Sequence, residues 1–410
     1  MTLHYIWAAF FLIAAVLTTI KTVFWGETTA FPVLVKALFD AAKVSIDISI
    51  GLIGILTLWL GLLKIAEKGG IVTVLSKLIN PFFSRIFPEL PKNHPAFGHI
   101  IMNYSAIMLG LDNAATPLGL KAMESLQEVN SEKEKASNAQ IMFLVLNTAG
   151  FTIIPMSIIM YRAQCGAANP TDIFIPILIS SFTAFLSGLI VVSIVQRIKL
   201  YNPVVLAYLI SMIASVFFLV WYFSQLSKEQ ISTISSIASS AIILFIITSF
   251  IILGLIRKVN LFSTFVDGAK EGFNVAIKII PYLVGMLCGI AVFRSCGALN
   301  YLTDGIGGLI GLTGVDTSFV EALPTALMKP LSGSGSRGLM LEAMNTYGAD
   351  SFVGRLVSIF QGATDTTFYI IALYFGSVGI KNTRYAIPCG LVADAAGIIM
   401  AIFMGYIFFF

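Results

Sequence analysis

Charge is what this sequence has least of. Asp, Glu, Lys and Arg make up 11% of its 410 residues, whereas soluble domains carry about 25%. So few charges cannot clothe a water-facing surface. With 57% apolar residues and a mean hydropathy of +0.91, the solvent implied is a lipid bilayer. The net charge of +4 is dispersed, and no basic run could follow a phosphate backbone, which argues against nucleic acid as a partner. The three histidines (His4, His94, His99) are too scattered for a metal cage, and His99 reads as a hydrogen-bonded core group. Cys165, Cys288, Cys296 and Cys389 show no CxxC spacing and read as small buried hydrophobes. No HExxH, GxSxG or paired-carboxylate motif occurs. A non-enzyme without cofactor or metal is therefore expected.

What is present is a series of long apolar stretches. A bilayer crossing needs about 20 mostly apolar residues. Nine segments reach that length: 3–26, 40–66, 139–164, 171–197, 202–225, 232–256, 272–296, 353–378 and 384–410. The first reads as a retained span, since no A-x-A-like cleavage site follows it before Trp25. Two further stretches, 95–126 and 318–346, are interrupted by Gly, Pro, Ser and Asn and are expected to enter and leave on one side. Segments 71–88 and 298–312 are short and amphipathic, suited to lying along the interface. The expected fold is all-α: a polytopic membrane protein of about nine transmembrane helices plus two re-entrant helical hairpins. Basic residues gather on one side of this threading, among them Lys64, Lys68, Lys77, Arg85, Lys133, Lys135, Arg257, Lys258, Lys381 and Arg384. Lys36 and Lys43 fall on the other side and weaken the bias without reversing it. A multi-pass protein of the bacterial plasma (inner) membrane is expected, N-terminus cytoplasmic and C-terminus outside.

An internal repeat is visible. Asp40-Ala41-Ala42-Lys43 resembles Asp267-Gly268-Ala269-Lys270, at an offset of 227 that also pairs Gly70 with Gly297. Farther on, Leu120-Lys121-Ala122-Met123 matches Leu341-Glu342-Ala343-Met344, and Thr152 matches Thr366. Five crossings, an odd number, separate the first span of one repeat from its counterpart. The repeats are therefore expected to be inverted, an arrangement that lets one fold open to either side. The expected divisions are a first repeat in 1–200, linking helices in 201–262 and a second repeat in 263–410.

Polar groups in hydrocarbon are costly unless they are buried in protein or line a wet cavity. Four clusters stand out, and they supply the expected solute contacts. The first hairpin offers Asn103, Ser105, Asn113 and Thr116, around breaks at Gly110 and Pro117. The second offers Ser332, Ser334, Ser336 and Arg337. Spans 139–164 and 353–378 add Asn147 and Thr148, and Gln361, Thr364 and Thr366. Broken helices present free N–H groups and carbonyls, glycine lets backbone approach a ligand, and Arg337 could clamp a carboxylate or phosphate. Asp365, in mid-span, and Asp112 are the expected coupling-ion groups. Plainer roles stand beside these: hydroxyls that back-bond to a helix carbonyl, a salt bridge or snorkelling for Arg337, a structural ion pair for Asp365, a helix cap for Asp112. Asp47 and Asp394 also fall in spans, as packing partners of lysines or parts of a relay.

At these residues the chain resembles known families. Residues 98–175, with Asn103-Tyr104-Ser105, the run Met108 to Pro117 and Leu146-Asn147-Thr148, resemble spore maturation protein A. Residues 276–400 resemble spore maturation protein B, through Pro330 to Gly338, Gln361 to Tyr369 and Tyr374 to Gly379. The chain looks like a fusion of the two, its halves a maturation A-like and a maturation B-like repeat. Both belong to the nucleoside recognition, or Gate, group, which also includes the core of concentrative nucleoside transporters. The resemblance implies two opposed hairpins and two unwound helices around a solute. The Gln/Glu-rich hairpin signature that holds base and ribose in those transporters is absent here, so a transport-like fold is implied more strongly than nucleosides. The expectation is a carrier of a small polar solute, anionic ones included, working by alternating access with cation or proton coupling. The alternative is a non-transporting partner of envelope or peptidoglycan enzymes in spore cortex maturation. Expected partners are a small-molecule solute and membrane lipids, with a homo-oligomer and an envelope enzyme left open.

Overall fold

The computed structural model describes residues 2–91, 94–110, 112–198, 201–226, 228–312, 314 and 316–410. Among these the chain is helical, with one isolated bridge, Lys135 to Asn382, and no strand. Helix α1 (Thr2–Trp25) precedes a long α2 (Ala30–Lys68) and an amphipathic α3 (Ile71–Ile86). A hairpin of α4 (Pro95–Met108) and α5 (Asp112–Glu128) follows, then α6 (Asn138–Ala149) and α7 (Met156–Gln164), separated by a break at 150–155. Next come α8 (Phe174–Gln196) and two linking helices, α9 (Pro203–Ser224) and α10 (Lys228–Ile256). The first order of elements then recurs. A long α11 (Leu261–Ser295) leads to α12 (Ala298–Gly311), then to a hairpin of α13 (Leu323–Met328) and α14 (Gly333–Tyr347). Helices α15 (Phe352–Ala363) and α16 (Thr367–Ser377) are separated by a break at 364–366, and α17 (Ala386–Phe409) closes the set.

Local chemistry sets these boundaries. Ser137 and Gln140 form a reciprocal capping box at the start of α6, and Ser351 accepts from the Gly354 N–H to start α15. Gly70 and Gly297, the pair related by sequence offset, both sit in the left-handed region, at φ 81° and 86°. Each turns the chain from a long helix into an amphipathic one, a conformation that favours glycine.

Five described helices are long and apolar enough to cross a membrane, as is Phe352–Ser377 taken across its break, making six, or seven if Leu283–Ser295 and Ala298–Gly311, bent by 68°, count as one. This is a multi-pass membrane protein, with fewer such helices than the nine apolar segments. One cause is visible: segment 139–164 is two short helices, because Gly150 is left-handed at φ 54° and Pro155 precedes α7. Segment 298–312, expected along the interface, is one arm of the bent pair. Helix α2 also begins at Ala30 rather than at residue 40. At 1.5 Å per residue it runs about 58 Å, beyond a hydrocarbon core of about 30 Å, so it must tilt or project.

Two helix pairs form the frame. Helices α2 and α11 pack most extensively, with Gly268 and Gly272 against the Leu60 and Leu56 carbonyls and Gly61 against Phe265. Helices α8 and α17 pack through Gly188 against Ala393 and Gly397 against Ala184. Small residues let backbones approach where no hydrophobic effect drives helices together.

The corresponding loops of the two sets reach across to each other. The segment before α6 meets the one before α17: Ala136 N–H donates to Asn382 O at 3.0 Å, and Lys381 and Asn382 N–H both donate to Glu134 O. The exposed Lys381 and Glu134 side chains pair there at 2.7 Å. Conversely, the segment before α15 meets the one before α8. Fully buried Arg162 donates to Ala349 O at 2.7 Å, Asp172 at 2.9 Å and Asp350 at 3.2 Å, and Arg355 bonds Asp172 at 2.7 Å. Breaking a buried ion pair by removing one partner costs about 3–5 kcal/mol, whereas exposed pairs are worth about 1 kcal/mol or less. In thermal unfolding of the detergent-purified protein, Arg162→Met is expected to lower the midpoint by several degrees. Lys381→Ala should scarcely move it; equal effects would mean the buried cluster is not a fastening.

Candidate functional site

The two broken helices cross at their breaks. Asp365 N–H donates to Thr148 O at 2.8 Å, and a Cβ added to Gly150 would lie 3.2 Å from the Asp365 nitrogen. Each hairpin tip sits on the break of its own set. Ile153 N–H donates to Met108 O at 2.8 Å, and Gly110 packs against Ile154 O. In the second set, Phe368 N–H donates to Pro330 O at 3.0 Å, and Gly333 packs against the Thr366 hydroxyl.

Around this crossing lies a chamber of ≈190 Å³. Of the residues expected from sequence, it brings together Thr116, Asn147, Arg337, Gln361, Thr364 and Asp365. The first turns of α7 and α16 open onto it through Met156, Ser157, Tyr369 and Ile370, so positive helix ends border the space. Asp365 is exposed. Its Oδ1 accepts from the Thr366 N–H at 2.7 Å, at the start of α16, which has no side-chain cap. Asp365 forms no ion pair among the described residues, so a structural arginine partner is not its role here.

Other expected contacts have different partners and do not line the chamber. Ser105 donates to Ile101 O and lies 3.0 Å from the Ser76 hydroxyl, Thr148 donates to Val145 O, and Ser336 donates to Thr325 O. These are hydroxyls satisfying nearby backbone carbonyls. Ser332 caps α14 by accepting from the Gly335 N–H at 3.0 Å, and Ser334 lies 3.3 Å from it. Thr366 is buried beneath Gly333. Asn103 is buried and donates to Ala115 O at 2.8 Å, holding the first hairpin closed. The side chains of Asp112 and Asn113 lie outside the described residues.

Two charged residues add to the site. Lys329 lines the chamber although it is 5% exposed. It stands beside Pro330 at the second tip, and its only sequence signal is a charge inside an interrupted apolar stretch. Asp394, on α17 directly behind the second break, is 1% exposed. Thr367 Oγ1 donates to its Oδ2 at 2.6 Å, its Oδ1 has no partner among the described residues, and Lys329 and Asp365 act on it electrostatically. Gln361 Oε1 is likewise buried without a hydrogen-bond partner among the described residues. Such atoms are costly unless water or a ligand meets them.

Comparison with known proteins matches this sequence to a family. The nucleoside recognition (Gate) family matches residues 49–164 and 276–381, more than half of the chain. Both stretches contain a hairpin and a broken helix. Spore maturation protein B of Bacillus subtilis (strain 168) is 44% identical over 164 residues, 40% of this chain and 90% of that protein. Spore maturation protein A of the same organism is 42% identical over 156 residues, 38% of this chain and 80% of that protein. No solved structure matches significantly. The chain thus belongs to the nucleoside recognition (Gate) family and joins relatives of spore maturation proteins A and B in one polypeptide.

Proposed function

We propose that the protein is a secondary transporter rather than an enzyme, carrying a small polar solute by alternating access. The observation that carries this reading is the convergence of both breaks and both hairpin tips on one polar chamber. Unwound backbone at membrane depth is tolerated where it is buried or lines a cavity, and transporters use it to hold solute and ion.

The loop contacts support an inverted repeat. The segment before α6 lies at one end of the first broken helix, while its counterpart before α15 contacts the segment at the other end of that helix. Corresponding loops at opposite ends mean that the two sets run in opposite directions, as in the nucleoside-transporter core that the resemblance implies. The end bearing Lys133, Lys135, Lys381 and Arg384 is then cytoplasmic in a bacterial plasma membrane, with the N-terminus inside and the C-terminus outside. Arg337 and Lys329 face the anionic part of the solute. Asp365, exposed to the chamber at the head of α16, carries the coupling cation or proton.

Two tests follow from this arrangement. Asp365→Asn should abolish gradient-driven uptake into proteoliposomes while the variant elutes as a folded species. Normal coupled uptake by that variant would remove Asp365 from the mechanism. For orientation, exposed Ala168 and Glu134 stand at opposite ends of the first broken helix. A membrane-impermeant maleimide should label Ala168→Cys in intact cells and Glu134→Cys only after permeabilisation, in a Cys165→Ser background. Labelling of both from outside would defeat the inverted arrangement.

A further inference from the structure

The chamber has a second, chemically different lobe. A cavity of ≈130 Å³ adjoins it and shares Gly110, Met156, Ser157 and Arg337. Its other walls are apolar, chiefly Leu56, Trp59 and Leu63 of α2 with Met160 and Tyr161 of α7. The Arg337 guanidinium lies 5.4 Å from the Tyr161 ring centre, at the junction of the lobes. One occupant spanning both must carry a polar end and an apolar end. The joint volume falls at the small end of small-molecule sites, roughly 300–1,000 Å³.

The charges of the polar lobe narrow the class. Lys329 and Arg337 are cationic and Asp365 is anionic. Asp394, behind the break, does not line the chamber. Its described lining thus presents two basic side chains and one carboxylate, so both signs are available to a solute that carries both. A carboxylate matches the planar fork of Arg337. An ammonium or amide N–H matches Asp365 and the Oε1 of Gln361, which is 7% exposed, lines the chamber and has no partner among the described residues. An apolar substituent on the same skeleton matches the Trp59–Tyr161 lobe.

We infer that the site takes a zwitterion with an apolar substituent, an α-amino acid or dipeptide bearing an aliphatic or aromatic side chain. That this occupant is cargo rests on the transport reading; that it binds does not.

Thermal unfolding of the full-length protein in detergent tests the class, because a ligand of the native state alone raises the midpoint. The probes are L-phenylalanine, L-leucyl-L-phenylalanine, glycine, 3-phenylpropionate, phenethylamine and uridine. At least one of the first two should stabilise, and which one distinguishes amino acid from peptide. Glycine keeps both charges but lacks the substituent, and should bind roughly ten- to a hundredfold more weakly than phenylalanine if the amino acid is the ligand. Phenylpropionate and phenethylamine, each lacking one charge, should also be weaker. Trp59→Ala should weaken the aromatic probes selectively, and the wild-type comparison stands even if that variant does not fold. Stabilisation by uridine alone, glycine binding as tightly as both apolar zwitterions, or no response to any probe would overturn the inference. Binding of a zwitterion without uptake into proteoliposomes would uphold it and defeat the transport reading instead.

Discussion

A helix interrupted inside a bilayer exposes N–H and C=O groups that lipid cannot satisfy, and this protein is organised around where those groups go. The bonds from Ile153 to Met108, from Phe368 to Pro330 and from Asp365 to Thr148 let each interruption answer another. Hairpin tips close on breaks, and the two breaks close on each other. Because the unsatisfied backbone is gathered in one region, the polar side chains near it share one cavity. The chamber is thus a product of backbone satisfaction, which also explains why its residues come from so many elements.

Much of this was legible in the chain before any coordinates. Gly110 announced the turn of the first hairpin, whereas Pro117, expected to break it as well, lies inside α5; the Gly70–Gly297 offset picked out two residues with the same left-handed turn. Side-chain direction was not legible. Ser332, Ser334 and Ser336 look like one ligand-binding run, yet Ser332 caps α14, Ser334 lies beside it and Ser336 donates to Thr325 O. A hydroxyl next to its own helix always has a carbonyl within reach, so its residue type says little about which way it points. Lys329 is the opposite case, a chamber residue hidden by its neighbours' apolar character. The span count suffered for a related reason: hydropathy runs straight through a break that only backbone conformation reveals.

The frame helices do more than hold the site up. Helix α17 presents Gly390 to Thr367 and Thr148, Gly397 to Thr364, and Gly405 to Leu356 and Phe352. That smooth face brings Asp394 against the second break, where a larger residue at Gly390 or Gly397 would hold it away. Helix α2 contributes from the other side, supplying Trp59 and its leucine neighbours to the apolar lobe. Charge and grease therefore come to the two adjoining cavities from opposite scaffolds.

The exchanged loops limit how such a molecule can move. Each broken helix is moored at its outer ends to segments of the other half, by the buried guanidinium of Arg162 and the half-buried one of Arg355 at one face and by main-chain bonds and an exposed pair at the other. A lever pinned at both ends cannot swing as a rigid rod. Any change of shape must be taken up in the middle, by rotation about the few residues at 150–155 and 364–366. Both breaks border the one chamber, so a shape change in either half converges on the same few residues.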